Sequence, residues 1–178
     1  GMMQFSNVSL TDALRRDDVE ADQTFDFQGC EFSGEVKLQK TYGNVTLAFA
    51  NSTFAERLLV EDAESVESFV FEKAEFHGPV MLRGRTEFHR ESQGTLAGRL
   101  LRVIDFSDTR CSGDVLLSNL HVQDSIIFDR SRFTKDLTLH HVGFAQSDSP
   151  LHFSDVEVHN RLSLQDIVDS HVSFEDVR

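Results

Sequence analysis

The sequence predicts an all-β fold: a single right-handed parallel β-helix, or solenoid, of about seven coils, with a short helical cap at its N-terminal end. Three observations carry this. The 178 residues include 16 Phe but no Trp and one Tyr, so one aromatic type is demanded repeatedly. Seven of them, Phe27, Phe49, Phe71, Phe106, Phe128, Phe153 and Phe174, follow one another at steps of 22, 22, 35, 22, 25 and 21 residues. Around each anchor, apolar residues alternate with others, which is the period of a strand and not of a helix.

Alignment on these anchors fills further columns. Two places before them stand Phe25, Leu47, Phe69, Ile104, Ile126, Leu151 and Val172, all apolar. Three places after stand the small residues Cys30, Ser52, Ala74, Thr109, Ser131, Val156 and Val177. Five places after come Phe32, Phe54, Phe76, Cys111, Phe133 and Val158. Nine and eleven places after, Val36 and Leu38 are followed by Leu58 and Val60, Val80 and Leu82, Val115 and Leu117, Leu137 and Leu139, and Leu162 and Leu164. Strands this short cannot bury a face singly. Stacked as coils about 4.8 Å apart, they bury each column on its equivalent in the next coil.

Corners and outer faces follow. Seven places after the anchor stand Gly34, Glu56, Gly78, Gly113, Lys135 and Asn160, where Gly and Asn predict a tight bend with φ > 0. Outward columns carry charge. Glu31, Thr53, Glu75, Arg110, Arg132, Glu157 and Arg178 form one; Lys73, Asp108, Arg130 and Asp155 form another, alternating in sign. Stacked opposite charges attract, so both columns read as register and solubility devices.

The runs Phe27-Gln28-Gly29-Cys30-Glu31-Phe32 and Phe71-Glu72-Lys73-Ala74-Glu75-Phe76 resemble F-x-x-A-x-F, the signature of pentapeptide-repeat proteins. The resemblance covers about residues 25 to 177 and implies a right-handed, four-sided β-helix with one large and one small residue pointing inward on each side. A coil of four plain pentapeptides is shorter than the 22-residue step here. The fourth side, Thr41, Ala63, Arg85, Leu120, Val142 and Ile167, is degenerate. A three-sided cross-section therefore stays open beside the four-sided one.

Residues 1–24 lack the repeat and read as a cap segment, with a short helix starting in Ser9–Leu14 and Ser9 or Thr11 as its N-cap. Residues 25–178 form the β-helix domain, interrupted at about 84–103 by an inserted loop. The stretch between Leu82 and Phe106 that contains it holds Arg83, Arg85, Arg90, Arg99, Arg102 and His89 against Glu87, Glu91 and Asp105. It is either a solvated bulge whose arginines pair with the rod, or a contact for an anion or partner. A similar loop emerges from some pentapeptide-repeat proteins that act on topoisomerases. A second candidate surface is Leu59, Met81 and Leu116, outward on consecutive coils, which predicts an exposed apolar stripe. Either the cap or the loop covers it, or it is a lateral dimer surface. The chain stops mid-coil at Arg178, which predicts either a truncated chain or an end covered by a partner, two chains meeting end to end.

The net charge of −13 opposes direct nucleic-acid binding, which needs Lys and Arg to displace counterions. No apolar run is long enough for a membrane span, and no signal peptide is legible, so a cytoplasmic protein is expected. Cys30 and Cys111 fall inside the solenoid about three coils apart, too far for a disulfide. His77 and His159 share a column three coils apart, while His121, His140, His152 and His171 fall in four different ones. The neighbours His140 and His141 are expected to point apart, so no metal site and no cofactor are predicted. Asp26, Asp105 and His152 share a column but are separated by apolar residues. No nucleophile elbow, phosphate loop or Cys/His pairing is present, and the chain is not expected to be an enzyme. The leading reading is a non-catalytic structural and protein-interaction module with an unknown protein partner. The alternative, implied by the resemblance, is an anionic rod that mimics duplex DNA and binds a type II topoisomerase. A carbohydrate-active β-helix enzyme is the third.

Overall fold

The computed structural model describes residues 4–5, 8–11, 23–39, 45–61, 66–84, 101–145, 150–168 and 170–178. Over these residues the chain is a right-handed parallel β-solenoid of about six turns, with no helix among them. The aromatic anchors outnumber the turns because seven anchors bound only six steps.

Strands, numbered in chain order, fall on three faces. The first face carries Gln23–Asp26 (β3), Val45–Ala48 (β6), Ser68–Val70 (β9), Leu101–Asp105 (β12), the end of Val115–Ile127 (β14), Pro150–Ser154 (β17) and His171–Glu175 (β20). The second carries Gln4–Phe5 (β1), Glu31–Phe32 (β4), Thr53–Phe54 (β7), Glu75–Phe76 (β10), Arg110–Cys111 (β13), Arg132–Phe133 (β15) and Glu157–Val158 (β18). The third carries Val8–Thr11 (β2), Val36–Gln39 (β5), Leu58–Glu61 (β8), Val80–Arg83 (β11), the start of β14, Leu137–Phe144 (β16) and Leu162–Val168 (β19). In the described residues a fourth strand segment runs on in β14, β16 and β19, where Leu120 pairs with Val142 and Val142 with Ile167.

Every strand pairing among the described residues is parallel, and the inward columns from Phe25 onward pair as expected. On the first face Phe69 pairs with Ile104, Ile104 with Ile126, Ile126 with Leu151 and Leu151 with Val172. The anchors stack as rings: Phe27 on Phe49, Phe71 on Phe106 and Phe128 on Phe153, with centroids 5.1, 5.0 and 5.0 Å apart and planes within 28°. A second ladder, Phe32, Phe54 and Phe76, stacks at 4.7 and 4.6 Å and meets the first edge-on. Each fully buried ring contributes roughly 1.5–3 kcal/mol, so the two ladders are a main source of stability. Both cysteines are buried and unpaired.

The tight corner lies at a different column from the one expected. Two places after each anchor, Gly29, Asn51, Lys73, Asp108, Arg130, Asp155 and Asp176 hold φ between 50° and 66°. The turn closes through a bond from the residue three after the anchor to the anchor carbonyl, as Ala74 N to Phe71 O at 2.9 Å. Positive φ at the third residue of such a turn is the mark of type II. The alternating charges of Lys73, Asp108, Arg130 and Asp155 therefore ride on this left-handed corner. The Gly column seven after the anchor has another cause. A Cβ on Gly78 would lie 2.4 Å from the Glu56 carbonyl carbon, and one on Gly113 2.4 Å from that of Gly78. There the backbones of successive coils touch, and Gly leaves the room.

Buried hydroxyls brace the corner. Ser52 Oγ accepts from Cys30 N at 3.1 Å and donates to Phe27 O at 2.7 Å, tying one coil to the turn of the coil before. Ser131 repeats this against Thr109 N and Phe106 O. Asp26 and Asp105 each accept from the backbone N–H two residues on, at 2.9 and 2.8 Å, which fixes the entry to the turn.

At the N-terminus the expected helix start is replaced by strand over Ser9–Thr11. Phe5 pairs with Phe32, Val8 with Val36 and Leu10 with Leu38, so the sheets extend to Gln4. The offset is 27 residues on one face and 28 on the other. A pattern searched at the 22-residue step does not see it. Residues 12–22 lie outside the described residues.

Candidate functional site

The inserted segment is shorter than expected. β11 ends at Arg83 and β12 begins at Leu101, so residues 101–103 belong to the sheet and not to a loop. Arg102 is a strand residue whose guanidinium bridges three successive coils: Nε donates to Asp124 at 2.7 Å and Nη1 to Glu67 at 3.3 Å. Those bonds, Asp124 first, hold its proton more tightly still. Arg83 is exposed, with Nη2 3.9 Å from the Met81 sulfur. Arg85, Arg90 and Arg99 lie outside the described residues.

The apolar stripe has the expected register, Leu59 on Met81 and Met81 on Leu116. Its exposure is corrected. Leu59 is only 7% exposed, and Met81 and Leu116 are half-buried. Parallel stacking sets each side chain directly against the one above and below, and the ends are covered by Lys37 and Thr138 in register. The stripe is not an open patch.

The charge columns pair between coils. Arg130 holds both carboxylate oxygens of Asp108 at 2.8 Å, Arg110 reaches Glu75 at 3.2 Å, Arg132 reaches Glu157 at 2.8 Å and Arg57 reaches Glu35 at 2.7 Å. The bond from Arg130 keeps the Asp108 carboxyl below its ordinary range. Lys73 turns to its neighbour Glu72 at 2.5 Å. Gln39 donates to Glu61, and Glu67 takes Arg102.

The large exposed apolar side chains among the described residues are Phe174 and Val168, each 53% exposed, both on the C-terminal rung. Leu162, Leu164, Ile167, Val172 and Val177 beside them are only half-buried, while their equivalents one coil earlier, Leu137, Leu139, Val142 and Leu151, are fully buried. Phe174 stacks on Phe153 at 5.0 Å with its other face open. β19 and β20 each pair on one side only, whereas Val158 N–H of β18 donates outward to Arg178 O at 2.8 Å.

One gathering of side chains escaped the sequence. His140 and His141 do not point apart; their ring centroids lie 3.9 Å from each other. Both Nε2 atoms face Asp166 Oδ2 from the next coil, His141 at 3.0 Å and His140 at 3.9 Å. The register sets His140 opposite Gln165 and Val142 opposite Ile167, which leaves His141 opposite Asp166. Both of these, and Asn119 before them, hold φ of 52–53°. This second left-handed corner turns His141 to the same side as His140, where simple strand alternation would separate them. The 25-residue step between His141 and Asp166 hid the pairing from a search for ligand spacing.

Comparison with protein-family profiles, with curated proteins and with solved structures finds no match to this chain.

Proposed function

We propose that the chain is a non-catalytic structural and protein-interaction module that meets a second copy of itself end to end through its C-terminal rung. The observation that carries this is the exposure of Phe174 and Val168 on a rung whose counterparts elsewhere are buried. A two-fold axis there sets the same apolar surface and the same open strand edges against each other. The lateral surface favours the same reading. Among the described residues Arg57, Arg102, Arg110, Arg130 and Arg132 each hold a carboxylate of a neighbouring coil, which stiffens the rod. Light scattering on the 178-residue chain at micromolar concentration tests the proposal. A dimer that dissociates in Phe174→Glu supports it; a monomer, or a dimer indifferent to that substitution, overturns it.

The coils are, on this reading, of the pentapeptide-repeat type. Support comes from Phe71, Ala74 and Phe76, the F-x-x-A-x-F residues, which are all fully buried. A DNA-mimic role needs an acidic face of uniform sign. Glu35, Glu75, Asp108, Asp124 and Glu157 each carry an arginine instead. Purified protein is accordingly expected not to inhibit gyrase supercoiling, and salt-sensitive inhibition would restore that role.

A further inference from the structure

We propose that His140, His141 and Asp166 form a surface site for a divalent transition-metal ion. The site is independent of the end-to-end pairing proposed above. One atom from each of the three side chains can be chosen so that all lie within 4.8 Å of one another. A tetrahedral ion with donor atoms at about 2.0–2.1 Å holds them about 3.3 Å apart. The separations of 3.0 and 3.9 Å from the two imidazoles to Asp166 Oδ2 bracket that value.

The backbone supplies the preorganisation. His141 and Asp166 are fixed on neighbouring coils by paired strands on both sides of the corner, Leu139 with Leu164 and Val142 with Ile167. The left-handed corner explains why Asn, His and Asp occupy the column of Asn119, His141 and Asp166, since these residue types tolerate φ > 0. It does not explain His140, which precedes the corner and whose ring is nevertheless turned onto the same carboxylate. One imidazole nitrogen lies within hydrogen-bond distance of the carboxylate and the second lies beyond it. An ion satisfies all three at once.

The ligand set decides the class. Two imidazoles and one carboxylate suit zinc, nickel, copper or cobalt and not magnesium or calcium, which take oxygen ligands. Three protein ligands on an exposed corner leave one or more positions to water or to a group from outside the chain. Asp166 is the third ligand that two neighbouring histidines lack by themselves.

Titration calorimetry of the full chain with zinc chloride tests the site, with magnesium chloride as the control. The expected result is one zinc per chain at micromolar affinity and no magnesium binding. His140→Ala and Asp166→Asn are each expected to weaken zinc at least tenfold, and His141→Asn, which keeps a residue suited to φ > 0, to do the same. Circular dichroism on each variant establishes that it is folded. His77→Ala, distant in the chain and on another column, leaves affinity unchanged. Cobalt supplies a second readout: a visible ligand-field band that disappears in Asp166→Asn. Absence of saturable zinc binding below about 1 mM overturns the proposal, as does zinc binding that survives in folded His140→Ala/Asp166→Asn.

Discussion

Lys73 and Arg130 sit at φ of 58° and 54°, a region that long side chains with a Cβ enter at a cost of about 1–2 kcal/mol. Gly29 occupies the same column with φ 66° and no strain. The two substitutions across this column therefore have opposite signs. Lys73→Gly is expected to raise stability by about 0.5–1 kcal/mol, because the relief exceeds the chain entropy lost on ordering Gly. Gly29→Ala is expected to lower it by about 1 kcal/mol, although a Cβ there meets nothing within 4 Å. Urea melts of the two variants beside the parent check both signs.

The charge carried by this corner adds a pH dependence. Arg130 holds the Asp108 carboxyl below its ordinary 3.8, chiefly by hydrogen bonding. A carboxyl with a lowered folded value binds fewer protons folded than unfolded. Its contribution is complete above the unfolded value and disappears as pH falls through the folded one. Asp108→Asn is thus expected to flatten the loss of stability between about pH 5 and pH 2, and to leave other limbs of the profile unchanged. Melting temperature against pH for parent and variant gives the comparison. The pair is largely exposed, so added salt should shrink the difference.

At the scale of the element, the unit is the contact between one coil and the next. The anchor and inward columns were legible in the sequence because a parallel stack repeats each side chain's surroundings at each turn. Phe49 on Phe71 or Leu58 on Val80 needs only the step length to be found. The role of the Gly column was misassigned because close backbone approach and positive φ both select Gly, and only coordinates separate them. Gly78→Ala distinguishes the two causes. With φ unconstrained but 2.4 Å to a neighbouring carbonyl carbon, it is expected to cost about 3 kcal/mol. A cost below about 1 kcal/mol would mean that the coils can part there easily. The N-terminal strands show a second limit. Val8 and Leu10 belong to the same columns as Val36 and Leu38, but they lie 28 residues before them and not 22, so the period fails.

At the scale of the whole molecule, a solenoid is held by nearest-neighbour contacts, and its ends open before its middle. The two thiols report this. Cys111 is enclosed between Phe76 and Phe133 of the adjoining coils, and burial pushes its thiol far up. Cys30 is raised by burial and then by the Asp26 carboxylate, but it lies one coil from the N-terminal strands. Both are expected to resist a disulfide reagent in buffer. In sub-denaturing urea Cys30 should label before Cys111. Equal rates would show that the rod opens as one unit.

What the sequence by itself determined is the repeat of side-chain types: the strand faces, the aromatic ladders, the buried small column and several of the charges that pair between coils. Each depends on a residue and its copy one turn away, which is a relation of spacing. Only the tertiary structure decided where φ turns positive, that Leu59 is covered, that Arg102 belongs to a strand, and that His140, His141 and Asp166 converge. Those depend on the path of the backbone around a corner, where one left-handed residue redirects every side chain that follows it. The alternation rule used to read a strand has no term for such a corner.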